Sequence, residues 1–99
     1  MRFLLKKSLW DMSKEELKAA TSDKPIPEKQ RILKYLKSFD KCAYTTQPVV
    51  DLFTGEKQDF IADARTDGVY RWYDHEIYHF EKYNLKLNDD FIEHVLNSK

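Results

Sequence analysis

The hydrophobic pattern changes its period at one place, and the rest of the chain is read outward from there. Through Val69-Tyr70-Arg71-Trp72 the positions alternate, which sends Tyr70 and Trp72 to one side of a strand and Val69 and Arg71 to the other. From Asp74 the spacing becomes helical, with Ile77, Phe80 and Tyr73 on one side, and it predicts a helix from about Asp74 to Tyr83. Asp74 is the expected N-cap, and Glu76 adds negative charge to the first turn. Ahead of the strand stands Asp67-Gly68, a pair suited to a type I′ hairpin turn, in which both central residues take positive φ. One strand should therefore end near Arg65 and the next begin at Val69. Asp59 to Arg65 is then the first arm of that hairpin, with Phe60, Ala62 and Ala64 on one face.

The N-terminal third reads as helical. Ser13 and Glu16 fit a capping box, and the helix they start runs to about Ala20, before Pro25 and Pro27 interrupt the pattern. Pro27 suits the first turn of a second helix, from Glu28 to Phe39, whose apolar stripe is Ile32, Leu36 and Phe39 with Leu33 and Tyr35 beside it. The middle is less regular. Ala43 to Thr46 predicts a short strand, and Val49 to Phe53 a strand pairing at an edge, since Pro48 disfavours a central position. Thr54-Gly55-Glu56 is a turn. Asn88 is the expected N-cap of a last helix with Phe91, Ile92, Val95 and Leu96 on one face. With no repeat or linker, residues 1–99 read as one α+β domain, a small antiparallel sheet centred on the Asp67-Gly68 hairpin and packed against three to four helices.

Charge changes that picture only in its distribution. The net formal charge is zero, but residues 1–41 hold eleven Lys and Arg against six Asp and Glu, and residues 42–99 hold six against eleven. Either the halves attract each other within the fold, or one of them presents a charged face. The single cysteine, Cys42, excludes an internal disulfide and is expected to be a half-buried structural thiol. Phe3-Leu4-Leu5 is too short for a signal peptide or a membrane span, so a cytoplasmic protein is expected.

Two stretches suggest specific chemistry. His75-Glu76-Ile77-Tyr78-His79 is a literal H-E-x-x-H string, whose histidines on one helix face could hold a zinc ion while Glu76 polarises a bound water. The third ligand would come from Glu93 or His94. Against a zinc hydrolase, His75 falls at the very start of its helix, and a chain this short leaves little material for a substrate cleft. In the second helix, Lys29, Lys34, Lys37 and Lys41 raise a nucleic-acid reading, which the neutral overall charge and the missing recognition motif oppose.

From Tyr44 to Val95 the chain resembles a family of small uncharacterised bacterial cytoplasmic proteins. Four segments carry the resemblance: Asp51-Leu52-Phe53-Thr54-Gly55-Glu56; the hairpin Thr66-Asp67-Gly68-Val69-Tyr70-Arg71-Trp72; the helix end Tyr78 to Leu87, containing Glu81-Lys82-Tyr83-Asn84-Leu85; and Phe91-Ile92-Glu93-His94-Val95. The resemblance implies that His75 and His79 are not fixed as histidine, which counts against zinc. By analogy with proteins encoded beside bacterial toxins it implies an immunity protein, with a basic toxin domain as partner and no cofactor. An acidic, aromatic surface would suit that partner. Its expected members are Asp63, Asp67, Tyr70, Asp74, Glu76, Tyr78 and Glu81, while Trp72 goes to the core. The function expected is therefore non-catalytic protein binding, with the zinc hydrolase and the nucleic-acid binder as rivals.

Overall fold

A computed structural model describes residues 2–24 and 26–97. Among these residues, six strands and four α-helices follow one another as β1 (Arg2–Phe3), a 3₁₀ turn (Leu9–Asp11), α1 (Lys14–Ala19), α2 (Lys29–Ser38), β2 (Lys41–Ala43), β3 (Pro48–Val50), β4 (Lys57–Ile61), β5 (Ala64–Thr66), β6 (Tyr70–Tyr73), α3 (Asp74–Tyr83) and α4 (Asp89–Leu96). The α+β class is as expected. The sheet is different: β1-β6-β5-β2 is a mixed four-stranded sheet, in which β1 runs parallel to β6, and β3-β4 is a separate antiparallel ribbon.

The alternation in β6 sets the core. Tyr70 and Trp72 are buried on one face, where the Trp72 indole N–H donates to the Leu36 carbonyl of α2 at 3.1 Å and the Tyr70 ring lies 4.9 Å from Phe91 of α4. The stripes of α2 (Ile32, Leu33, Leu36) and α4 (Phe91, Val95) close over them as their periodicity requires. Phe3 stands opposite Arg71 in the parallel pairing, so Phe3, Arg71 and Tyr73 project from the other face.

Local signals held where side chains satisfy backbone donors. The capping box at α1 is complete, with Ser13 Oγ accepting from the Glu16 N–H and Glu16 Oε1 from the Ser13 N–H. Five expectations need correction. The Asp67-Gly68 turn is not type I′, because only Gly68 has positive φ (96°); Asp67 instead uses Oδ1 to accept from the Val69 and Tyr70 N–H groups, and three residues separate β5 from β6. Residues 59–65 are not one strand: β4 and β5 belong to different sheets, and the chain turns at Ala62-Asp63, where the Asp63 carboxylate takes the Thr45 N–H and the Asp63 carbonyl takes the Asp74 N–H. Asp74 is the first helical residue of α3, not its cap, and Pro27 precedes α2, whose N-cap is Glu28 with a left-handed φ of 59°. Cys42 is exposed on β2, at one edge of its sheet.

Candidate functional site

Helix α3 carries most of the chemistry, and it divides into a saturated side and an unsaturated one. The saturated side faces the β3–β4 turn. There Asp51 opens the Asp51-to-Glu56 turn: its Oδ1 accepts from the Phe53 and Thr54 N–H groups at 2.9 and 3.1 Å, the Gly55 N–H reaches the Asp51 carbonyl, and Gly55 takes the left-handed φ of 78° that the bend demands. Its Oδ2 accepts from the Tyr78 and Tyr83 hydroxyls and, at 3.4 Å, from the Lys82 ammonium. Burial alone would raise the pKa of this carboxyl, but the donors outweigh it and hold the group well below the usual carboxylate range. Burial and the adjoining Asp51 charge in turn push the Tyr83 phenol up to about 12.

The two histidines of the H-E-x-x-H string lie against the same turn and are both buried. His79 Nδ1–H donates to the His75 carbonyl at 2.8 Å and Nε2 accepts from the Leu52 N–H at 3.1 Å, so its tautomer is fixed and neither nitrogen is left for a metal. His75 Nε2–H donates to the Val50 carbonyl at 3.0 Å, leaving Nδ1 buried without a partner. Burial, with His79 nearby, pushes His75 down to about 4, and burial lowers His79 as well, so both rings are neutral at ordinary pH. His94, a ligand candidate in the sequence, accompanies Asp67 instead, 2.8 Å from its Oδ2, and Tyr35 donates its hydroxyl to the same oxygen. Among the described residues no three His, Cys, Asp or Glu side chains gather where they could hold a metal ion.

The unsaturated side lies where α3 leaves β6. The Glu76 carboxylate reaches back to accept the Tyr73 N–H at 3.1 Å, as the glutamate of a capping box does, and among the described residues it has no other hydrogen bond and no ion pair. It is only 7% exposed, and burial pushes it up to about 7. Its small exposed part opens into a cavity of about 390 Å³ whose walls include Phe3, Trp10 and Tyr73, with Lys6 also lining it. Trp10 is 53% exposed; it stacks on His75 at 4.7 Å and meets Tyr73 at a right angle at 5.1 Å.

The expected acidic face is mostly internal. Asp63 is buried against Lys41 at 2.9 Å, Asp74 against Arg65 at 2.9 Å, and the Asp67 carboxylate is enclosed by Tyr35, His94 and its own turn. Tyr70 is core, with its hydroxyl on Asp90, and Tyr78 is half-buried on Asp51. Of the seven residues only Glu81 is openly exposed, and it pairs with Lys37. Small domains fill their interiors with such side chains, and here the acids went with the aromatics because each found a donor. The halves of the chain do attract each other: Lys37 and Lys41 meet Glu81 and Asp63, and Lys29 is held by Asn84 Oδ1 and the Glu81 carbonyl. That uses up lysines the nucleic-acid reading needs.

A second concavity, of about 430 Å³, runs between α2, α3 and β4, with Phe60, Ile61, Ile77 and Tyr78 on its floor. Nothing in the residue pattern points to it, because Phe60 and Ile61 look like ordinary strand residues. They are 41% and 38% exposed, and β4 has no strand on its outer edge among the described residues.

Fold and sites together define a small α+β domain with a hydrogen-bonded interior, an open ribbon edge and one under-satisfied buried acid. Comparison with protein families, with curated proteins and with solved structures finds no match to this chain. No helix among the described residues is long and apolar enough to cross a membrane.

Proposed function

We propose that this chain is a non-catalytic module that binds another protein through the groove beside β4. The observation that carries the reading is the exposure of Phe60 and Ile61 on a strand whose outer edge is unpaired among the described residues. An edge strand offers backbone donors and acceptors to an extended segment of a partner, and apolar side chains beside it supply contact energy. The rim charges cancel in pairs, Lys37 with Glu81, Lys41 with Asp63 and Arg65 with Asp74, so the groove selects an uncharged, apolar segment rather than a basic one. A non-catalytic role is supported by the commitment of His79 and Asp51 to structural hydrogen bonds. Neutralisation of a toxin in the bacterial cytoplasm is the finer form of this reading, and its support is the resemblance of the four motif segments.

Immobilised protein, incubated with lysate of its native source, should retain one protein in stoichiometric amount. Phe60→Asp and Ile61→Asp should each lose it while keeping the wild-type circular dichroism spectrum. Retention by both variants, or no retained protein at all, would remove the groove from the account.

A further inference from the structure

We propose that the cavity beside Glu76 is a binding site for a cationic head group, an alkylammonium or a guanidinium, held by the buried carboxylate between aromatic walls. This stands independently of the groove at β4. Three observations converge on it. Glu76 is buried with a single hydrogen bond, from the Tyr73 N–H, and has no counter-ion among the described residues. Buried carboxylates are ordinarily paired, and an unpaired one beside an open cavity lacks what a cation would bring. Three walls are aromatic: Trp10 and Tyr73 meet at right angles as two adjoining surfaces and Phe3 is a third, with Leu5, Lys6 and Ser8 lining the remainder. Aromatic faces attract cations through their quadrupole, most strongly where water is excluded. Finally, Tyr73 already takes such a group from the chain itself, since the Arg71 guanidinium lies over its ring at 5.6 Å.

The neighbours fit the assignment. Lys6 lines the cavity but is exposed and forms no ion pair with Glu76, so it marks the mouth without filling the site. His75 behind Trp10 is neutral and stacked, and does not repel a cation. A volume of about 390 Å³ leaves ample room for a head group of a few heavy atoms. The same chemistry arrives either on a Lys or Arg side chain of a protein or on a free small amine.

The test uses the two indole N–H resonances of the ¹⁵N-labelled protein at about pH 8, above the Glu76 midpoint. Trp10 reports the cavity, while Trp72, bonded to the Leu36 carbonyl in the core, reports the integrity of the fold. Methylguanidinium and tetramethylammonium should shift the Trp10 resonance saturably, and neutral methylurea and neopentyl alcohol should not. In Glu76→Gln, which preserves shape and the acceptor for Tyr73, affinity should fall by about tenfold or more. Trp10→Ala, followed through the Glu76 and Tyr73 backbone resonances, should weaken binding without disturbing Trp72. Capped lysine and arginine amides identify the source: tighter binding than the bare ions points to a protein side chain, weaker binding to a free amine. Equal shifts with the neutral analogues, equal affinity in Glu76→Gln, or no saturable shift with any cation would overturn the proposal.

Discussion

Asp51 is buried against helix α3 and Glu76 is buried on it, yet five donors surround the first and one reaches the second. The consequence is opposite displacement: Asp51 is held ionised well below the usual range, and Glu76 is pushed up to about 7. Burial works against ionisation at both groups, and at Asp51 the donors outweigh it while at Glu76 a single donor does not. An acid whose shell is full has become part of the scaffold. An acid with vacancies beside a cavity is left able to act on something else.

Loss of the Asp51 carboxylate should have the largest effect. Replacing it with Ala would strand two phenols, two backbone N–H groups and the Lys82 ammonium, and should lower unfolding free energy by about 3 kcal/mol or more in urea titrations. A loss under about 1 kcal/mol would mean that water substitutes for the carboxylate.

Glu76→Gln should do the reverse and stabilise the protein on the order of 2 kcal/mol at pH 8, an advantage that fades as the pH falls toward 4.5. The sign follows from the raised midpoint: between about 4.5 and 7 the folded state holds the Glu76 proton more tightly than the unfolded chain, so this group makes stability fall as pH rises. His75 acts in the other direction. Its midpoint is lowered to about 4, so the unfolded chain binds more protons between pH 4 and 6.5 and stability climbs with pH there. The two slopes oppose each other in the native sequence, and urea midpoints measured across that window should rise more steeply in Glu76→Gln than in wild type. An unchanged slope would argue that Glu76 is solvated.

Tyr83→Phe removes one of the five donors and should cost about 1.5 kcal/mol, with Asp51 still ionised. In the native protein an ultraviolet titration should find the Tyr83 phenol resisting ionisation until about pH 12. Trp10→Ala should be the mildest change, below about 1 kcal/mol, because the ring is half in solvent and loses only its contacts with His75 and Tyr73. A loss comparable to that at Asp51 would make Trp10 a core residue rather than a wall.

The elements written in short-range chemistry were legible. Ser13 and Glu16 announced α1, the alternation of Tyr70 and Trp72 announced the core face of β6, and the change of period placed α3 at Asp74–Tyr83. Two turns gather residues from distant segments, the Asp51 turn with Tyr78, Lys82 and Tyr83, and the Asp67 turn with His94. What could not be read is what depends on distant partners. Nothing in Asp63 or Asp74 says that Lys41 and Arg65 will take them inside, and nothing in Arg2-Phe3 says that it will pair in parallel with Tyr70-Arg71. The cavity at Glu76 was hidden for the same reason, since Phe3 and Trp10 reach it from far along the chain.

The pairing of β1 with β6 sets an order of events. Arg2 and Phe3 are synthesised before Tyr70 and Arg71 and cannot pair with them until those residues have emerged, and closing so wide a loop is slow. Phe3, Leu4 and Leu5 therefore wait as an unprotected apolar stretch during translation, and the pocket lined by Phe3 comes into existence only when this first strand docks. In native-state hydrogen exchange, opening of that strand should erase the pocket while the Asp51 turn stays closed.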